Sequence, residues 1–188
     1  MEKKVDLRIK KTHKALLQAL QELLCEKSFD EISVSELCDR AEIRRATFYK
    51  HFADKSELLA YMIQQLQQDY NNKNEISFDT QNPGTYLINI FTYFIDFLEE
   101  NKTMVSTILH SNARHIVLDI LSDQIEFDLK IHFRTAYKDD PSLELSPEIM
   151  AVLYSGAMIR CVQWWITKDS HISKEELIQQ FKLLMKKL

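Results

Sequence analysis

Residues 33–52, SVSELCDRAEIRRATFYKHF, hold the side chains of this chain best suited to chemistry. A helix through them is read with Ala46, Phe48 and Phe52 facing inward and Arg45, Thr47, Tyr49 and Lys50 largely free to face outward. A guanidinium can pair bidentately with a guanine edge, and a threonine can meet a phosphate or a thymine methyl. Tyr and Lys suit the sugar-phosphate backbone, which sets register rather than sequence. The chemistry expected here is noncovalent reading of duplex DNA in the major groove.

Two short helices joined by a turn must carry these groups. Ser33 and Glu36 make an S-x-x-E capping box at the start of the first helix, and Val34, Leu37, Cys38 and Ala41 form its apolar stripe. The helix is expected to break near Glu42 and Ile43. A second helix then runs from about Arg44 to His51.

The flanks extend the pattern. KKVDLRIKKTHKALLQALQELLCEKSFDEI precedes the pair, and ADKSELLAYMI follows it. With the TFYKHF core, a basic residue before Ala46 and the DKSEL helix start, residues 7–60 closely resemble the DNA-binding part of TetR-family transcriptional regulators. The resemblance implies a three-helix domain: Leu7 to about Lys27, Val34 to Ala41, and a recognition helix from Arg44 to His51, with a fourth, connecting helix from Lys55. It also implies roles. Arg45 is the first choice for a base contact, Lys55 matches the phosphate-anchoring lysine of the family, and Ser33 is both cap and phosphate ligand. Arg44 and His51 stand between DNA contact and solvent or packing roles. Lys10 and Lys11 add nonspecific attraction. One departure is Glu42, where the family often has Gly because positive φ is cheap there.

Composition agrees with an all-α protein of about nine helices. The chain has 188 residues, 45% of them hydrophobic, with only two Gly and three Pro. Its net charge of -4 suits a DNA binder only when divided by region. Residues 1–60 hold 12 Lys and Arg against 11 Asp and Glu, whereas residues 61–188 hold 12 against 17. DNA attraction must therefore come from local basic patches, at Lys3–Lys14 and Arg44–Lys55. Three cysteines, Cys25, Cys38 and Cys161, have no metal spacing and point to a reduced, cytoplasmic chain. No signal peptide is visible, and polar residues are expected to interrupt every apolar segment before membrane-spanning length.

Beyond residue 60 the punctuation is equally plain. Asp54 and Glu57 start a helix through Tyr70, and NNKNEISFDTQNPG reads as a loop. Pro83 opens a helix apolar on most of its circumference, through Tyr86, Leu87, Ile90, Phe91, Phe94, Ile95 and Leu98, which is expected to be central. TMVSTILH makes a short helix, about Ala113 to Tyr137 a long one, and KDDPSLEL a loop. Ser146-Pro147-Glu148 begins a helix to about Lys168, and Ser173 with Glu176 caps a last one through Leu188. The expected division is a DNA-binding domain at 1–54 and an effector-binding and dimerisation domain at 55–188.

The last two helices carry strong apolar faces: Ile149, Leu153, Ala157, Cys161 and Trp164 or Trp165 on one, Leu177, Ile178, Phe181, Leu184, Met185 and Leu188 on the other. Packing within one chain would use one face of each. The family resemblance implies instead that they pair with their copies in a homodimer, so that two recognition helices about 34 Å apart read a palindromic double-stranded DNA operator. It further implies a small hydrophobic or aromatic effector held among aromatics of the C-terminal part, with Phe91, Phe94, His110, Phe127, Tyr154 and Trp164 as the candidate lining. The C-terminal segment is similar to a TetR type common in Firmicutes. The leading expectation is a repressor released by its effector, with a partner-dependent coregulator as the alternative.

Metal and catalytic readings are weak. His115 with Asp119 and Asp128 with His132 are i, i+4 pairs, but two donors fall short of a closed metal site. No nucleotide loop, nucleophile elbow or zinc-protease motif is present, so neither catalysis nor a cofactor is expected.

Overall fold

The computed structural model describes residues 7–73, 83–136, 146–167 and 172–185. Among them are nine α-helices and no strand: α1 (Leu7–Glu26), α2 (Val34–Arg40), α3 (Arg45–Phe48), α4 (Lys55–Lys73), α5 (Pro83–Glu100), α6 (Lys102–Leu109), α7 (Arg114–Ala136), α8 (Pro147–Thr167) and α9 (Lys174–Met185). The expected all-α architecture and helix order hold. Of the loop read at 71–84, residues 71–73 belong to α4 and 83–84 to α5, while 74–82, the loop read at 138–145 and the end of the last helix at 186–188 lie outside the described residues.

The helices form two compact units. The first contains the residues up to Gln68 together with Thr103–Val117, and the second contains Asp69–Lys102 together with the residues from Leu118 onward. This packing differs from the division expected at residue 54. Most of α4, all but the first residue of α6, and the start of α7 belong with the helix-turn-helix, and Met104, Val105, Ile108 and Ala113 are buried.

In the first unit, α1 buries Leu16, Ala19, Leu20, Leu23 and Leu24 at helical spacing. Ion pairs fasten α2 to it. Arg40 takes both oxygens of Glu26 at 2.8 and 3.0 Å, and Lys27 reaches Glu36. That last contact changes the expected capping box. The Ser33 hydroxyl does accept the Glu36 amide at 3.2 Å, but the Glu36 carboxylate goes to Lys27 instead of returning to the cap. A complete box lies upstream, in a 3-10 turn at Phe29–Glu31, where Ser28 is the cap and the Glu31 carboxylate accepts the Ser28 amide at 3.2 Å.

α2 ends in a Schellman turn. The Ile43 amide donates to the Cys38 carbonyl at 2.9 Å and the Glu42 amide to the Asp39 carbonyl at 3.3 Å, which puts Glu42 at φ 55°. The position that suggested glycine is thus left-handed, with a side chain that disfavours it.

The second unit is built on α5, which buries Tyr86, Leu87, Ile90, Phe91, Phe94, Ile95, Phe97 and Leu98 as its apolar circumference requires. Phe91 stacks on Phe181 of α9 with ring centroids 4.0 Å apart, and Lys174 bridges Asp96 and Glu99 at 2.7 Å each. α8 buries Ala151, Ser155, Met158 and Val162. It leaves Ile149, Val152, Leu153 and Ala157 exposed on another side. Contrary to the sequence expectation, α8 is long and apolar enough to cross a membrane by length and composition, since Glu148 and Arg160 are its only charges. The face it buries among α-helices also fits a core helix.

Replacing Glu42 with Gly should raise unfolding free energy by about 0.5 to 1 kcal/mol, the relief of the left-handed strain less the extra freedom of the unfolded chain. A higher denaturation midpoint at unchanged slope is the expected result, and a lower midpoint would show that the Glu42 side chain is stabilising.

Candidate nucleic-acid interface

α3 is only four residues long, shorter than the Arg44–His51 helix expected, and its turns continue as single hydrogen bonds. Tyr49 donates to Arg45 at 3.1 Å, Lys50 to Thr47 at 3.2 Å, and His51 and Phe52 to Phe48 at 2.9 Å each. Phe48 and Phe52 are buried and anchor the segment. Ala46, expected to face inward, is exposed, because at 3.6 residues per turn it stands about 200° round the helix from the buried Phe48. Around Phe48 the surface shows Arg44, Arg45, Tyr49 and Lys50, all exposed, with Thr47 half-buried between them. Tyr49 keeps its ring edge against Phe48 at 5.4 Å while remaining 54% exposed. Side chains that can reach phosphates and base edges are thus gathered on one short segment.

Three expected residues have other work. Ser33 is exposed but its oxygen already caps α2. The half-buried His51 ring makes a 3.3 Å contact from Nδ1 to Nε2 of His13 on α1. Lys55 departs furthest from the phosphate-anchoring role. Its Nζ donates to the carbonyls of Phe29, Asp30 and Ile32 at 2.8, 3.1 and 2.7 Å, and stands 4.7 Å from the Phe29 ring centroid. An ammonium has three protons, and all three are directed at the 3-10 turn. Nothing in the sequence spacing signals this, because the acceptors are main-chain carbonyls more than twenty residues upstream.

Asp54 and Glu57 build the start of α4 much as their spacing suggests. Asp54 accepts the Ser56 and Glu57 amides at 2.7 and 2.9 Å, and the Glu57 carboxylate accepts the Ala53 amide, one residue before the cap. From α6–α7, the Asn112 amide donates to Asp30 at 3.1 Å, so the same 3-10 turn is held from a second side.

In the second unit the residues expected to line an effector site divide. Phe91 and Phe94 are buried, and Tyr154 and Trp164 are half-buried. Phe127 and His110 are not in the interior. Phe127 is 60% exposed because α7 turns Leu121, Ile125, Leu129 and Phe133 inward, and the exposed His110 sits in the first unit with Nδ1 2.7 Å from its own-turn Ser106 carbonyl. A polar group missed by sequence reasoning lies near these aromatics. His132 is buried, stacks on Tyr86 at 3.7 Å, and has no hydrogen-bond partner for either ring nitrogen among the described residues. Burial lowers its proton affinity and pushes the Tyr86 phenol up to about 12, with the Asp128 charge adding to the latter. Its only sequence signal was the i, i+4 spacing from Asp128. Among the described residues no three ligating side chains gather for a metal.

Residues 16–62 match the description "Bacterial regulatory proteins, tetR family", and residues 85–187 match "Transcriptional regulator C-terminal region". The chain belongs to the TetR family. Both matching descriptions are of transcriptional regulators. Over 64 residues it is 45% identical to the uncharacterised HTH-type transcriptional regulator YxbF of Bacillus subtilis, which is 34% of this chain and 17% of that one. Over 122 residues it is 29% identical to DhaS of Lactococcus lactis, an HTH-type activator of the dhaKLM operon, covering 62% of each. The matched stretches span less than two thirds of these relatives' length. Among solved structures, a TetR-family regulator from Syntrophomonas wolfei superposes with a TM-score of 0.69 at 17% identity over 94% of both chains. The dihydroxyacetone kinase operon activator DhaS gives 0.60 at 20% identity, also over 94% of both. The likeness of these structures concerns the fold.

Because the Lys55 ammonium is spent on carbonyls, Lys55→Met should lower the stability of this TetR-family domain by about 1 to 2 kcal/mol. Thermal unfolding reports that loss. The salt dependence of DNA binding should keep its slope, whereas a slope flatter by about one charge would restore the phosphate-anchoring role.

Proposed function

We propose that this regulator works as a homodimer that binds a palindromic operator in the cytoplasm, represses, and is released when a small hydrophobic or aromatic molecule enters its second unit. The observation that carries the reading is the exposed set Arg44, Arg45, Tyr49 and Lys50 around the buried Phe48. Arg45 is the base reader, with Thr47, Tyr49 and Lys50 on the backbone. A segment this short contacts few base pairs, so useful specificity requires two copies.

The α8 surface supports pairing. Ile149, Val152 and Leu153 are each more than half exposed, and Gly156 and Ala157 follow on the exposed side, where their small size allows close approach. Leu183 and Leu184 of α9 are also exposed. Apolar area of this kind is usually covered by another protein surface. For the effector, support comes from Phe91, Phe94, Tyr154 and Trp164 and from the orphaned nitrogens of His132, which offer one donor and one acceptor in an apolar setting. Such a ligand shifts the DNA-binding equilibrium only by its differential affinity for the two states.

A second reading, a coregulator that depends on a protein partner, is favoured by two observations. The relative DhaS is named an activator, and Phe127 with Ile131 forms an exposed apolar pair on α7.

Selection of genomic fragments by the purified protein, followed by titration at two salt concentrations, separates the readings. Enrichment of one palindrome supports the dimeric DNA-reading account, and salt-sensitive binding without enrichment supports the coregulator. On the enriched site, Arg45→Ala should relax preference at one base position at a cost of about 1 to 3 kcal/mol. Leu153→Glu should give monomers that lose the palindrome while keeping the folded helix-turn-helix.

A further inference from the structure

We propose that His13 is a positioning residue for the recognition helix, holding His51 through an imidazole–imidazole hydrogen bond that a fully protonated pair cannot make, so that DNA binding weakens on acidification. The proposal rests on the family's DNA binding and not on the repressor or effector reading.

The geometry places His13 where three segments meet. Its Nε2 lies 3.3 Å from Nδ1 of His51. Its ring stands edge-on to His51 at 5.0 Å and to Tyr61 of α4 at 5.0 Å, and tilts against Phe52 at 5.1 Å. His51 and Phe52 close the turns that follow α3, so His13 ties α1 and α4 to the end of the DNA-reading segment. Because α3 itself has only four residues, its aim depends on such outside contacts.

A bond between two imidazole nitrogens needs one lone pair. The neutral pair has it, and so does the pair after a first proton. A second proton removes the last lone pair between the rings and sets two like charges at contact. Burial, and then the charge of His51, hold the His13 proton affinity below the ordinary value of 6.5. The sign follows. Below that ordinary value the unfolded chain takes up a proton that the folded one resists, so stability is complete above it and declines as pH falls through it.

Among the described residues no neighbouring charge offsets this. Lys10 and Lys14 flank His13 on α1 and are exposed, as is Lys50 beside His51. From α4 come the Tyr61 phenol and, one turn earlier, Glu57, whose carboxylate is engaged by the Ala53 amide. The charge that acts on His13 is that of His51.

Ordinarily, protonating histidines near DNA adds positive charge and tightens binding. The brace therefore gives the opposite sign. The test compares wild type, His13→Gln, which keeps a hydrogen-bonding group that does not titrate, and His13→Phe, which keeps only the ring. The probe is labelled short duplex recovered from random sequence by the wild-type protein, and melting temperature is followed in parallel. Wild-type affinity should fall about tenfold between about pH 7.5 and about pH 5.5, the range in which histidine changes charge. His13→Gln should match wild type at the higher pH and lose no affinity at the lower. His13→Phe should bind more weakly at the higher pH, again without an acid-dependent loss. Melting curves need no DNA, and there wild type should lose more stability than either variant below the ordinary histidine value, since the buried His132 weakens all three alike. The proposal is overturned if wild type binds more tightly in acid, or if the melting profiles of wild type and His13→Gln run parallel.

Discussion

The grip of Lys55 on the 3-10 turn is the contact on which the DNA-reading unit depends. One ammonium donates to three carbonyls of a tight turn, those of Phe29, Asp30 and Ile32, of which the Phe29 carbonyl also accepts the Ile32 amide. The same side chain begins α4, whose Leu58, Leu59, Met62 and Ile63 are buried in the unit's core. Asp30, within the turn, also receives the Asn112 amide from the α6–α7 corner. The turn is therefore a joint between α1 and α2, the start of α4 and residues 103–117. The recognition segment hangs from this joint. It has one helical turn, too little to persist alone, and takes its direction from Phe48, Phe52 and the His13–His51 contact.

An acidic chain that binds a polyanion must manage its carboxylates locally. Glu22, Glu26 and Glu36 are paired with Arg40 and Lys27, and hydrogen bonds from these partners hold the Glu26 and Glu36 carboxyls below the usual carboxylate range. Exposed pairs of this kind add little stability. Their greater effect is to neutralise acid on α1 and α2 while Arg44, Arg45 and Lys50 remain exposed on the turn and helix that follow. Local arrangement thus matters more than the net charge of -4.

Helix order was legible because caps and apolar spacing are local: Ser33, Asp54, Pro83 and Ser173 each stand at or beside a helix start. The left-handed turn at Glu42 was likewise visible, through a residue where glycine was expected. Contacts between distant segments were not visible. Lys55 and the carbonyls of the 3-10 turn, His13 and His51, and the packing of residues 103–117 with the first unit all join residues with no shared local pattern. Exposure also escaped the pattern. Phe127 was read as interior because it is aromatic, yet α7 already fills its inner face with Leu121, Ile125, Leu129 and Phe133. His132, one turn beyond Asp128, carries the unpartnered polarity of the second unit without any motif to announce it.

The central claim is that the segment from Ser33 to Phe52 meets DNA and that the second unit does not. Amide hydrogen exchange of the full chain, with and without saturating duplex DNA at moderate salt, tests it most directly, since a bound phosphate backbone slows exchange of the amides it covers. The account predicts new protection at the α2 cap and through Arg44–Phe52, with α5 and α9 unchanged. Unchanged exchange through Arg44–Phe52, or protection confined to the second unit, would contradict it.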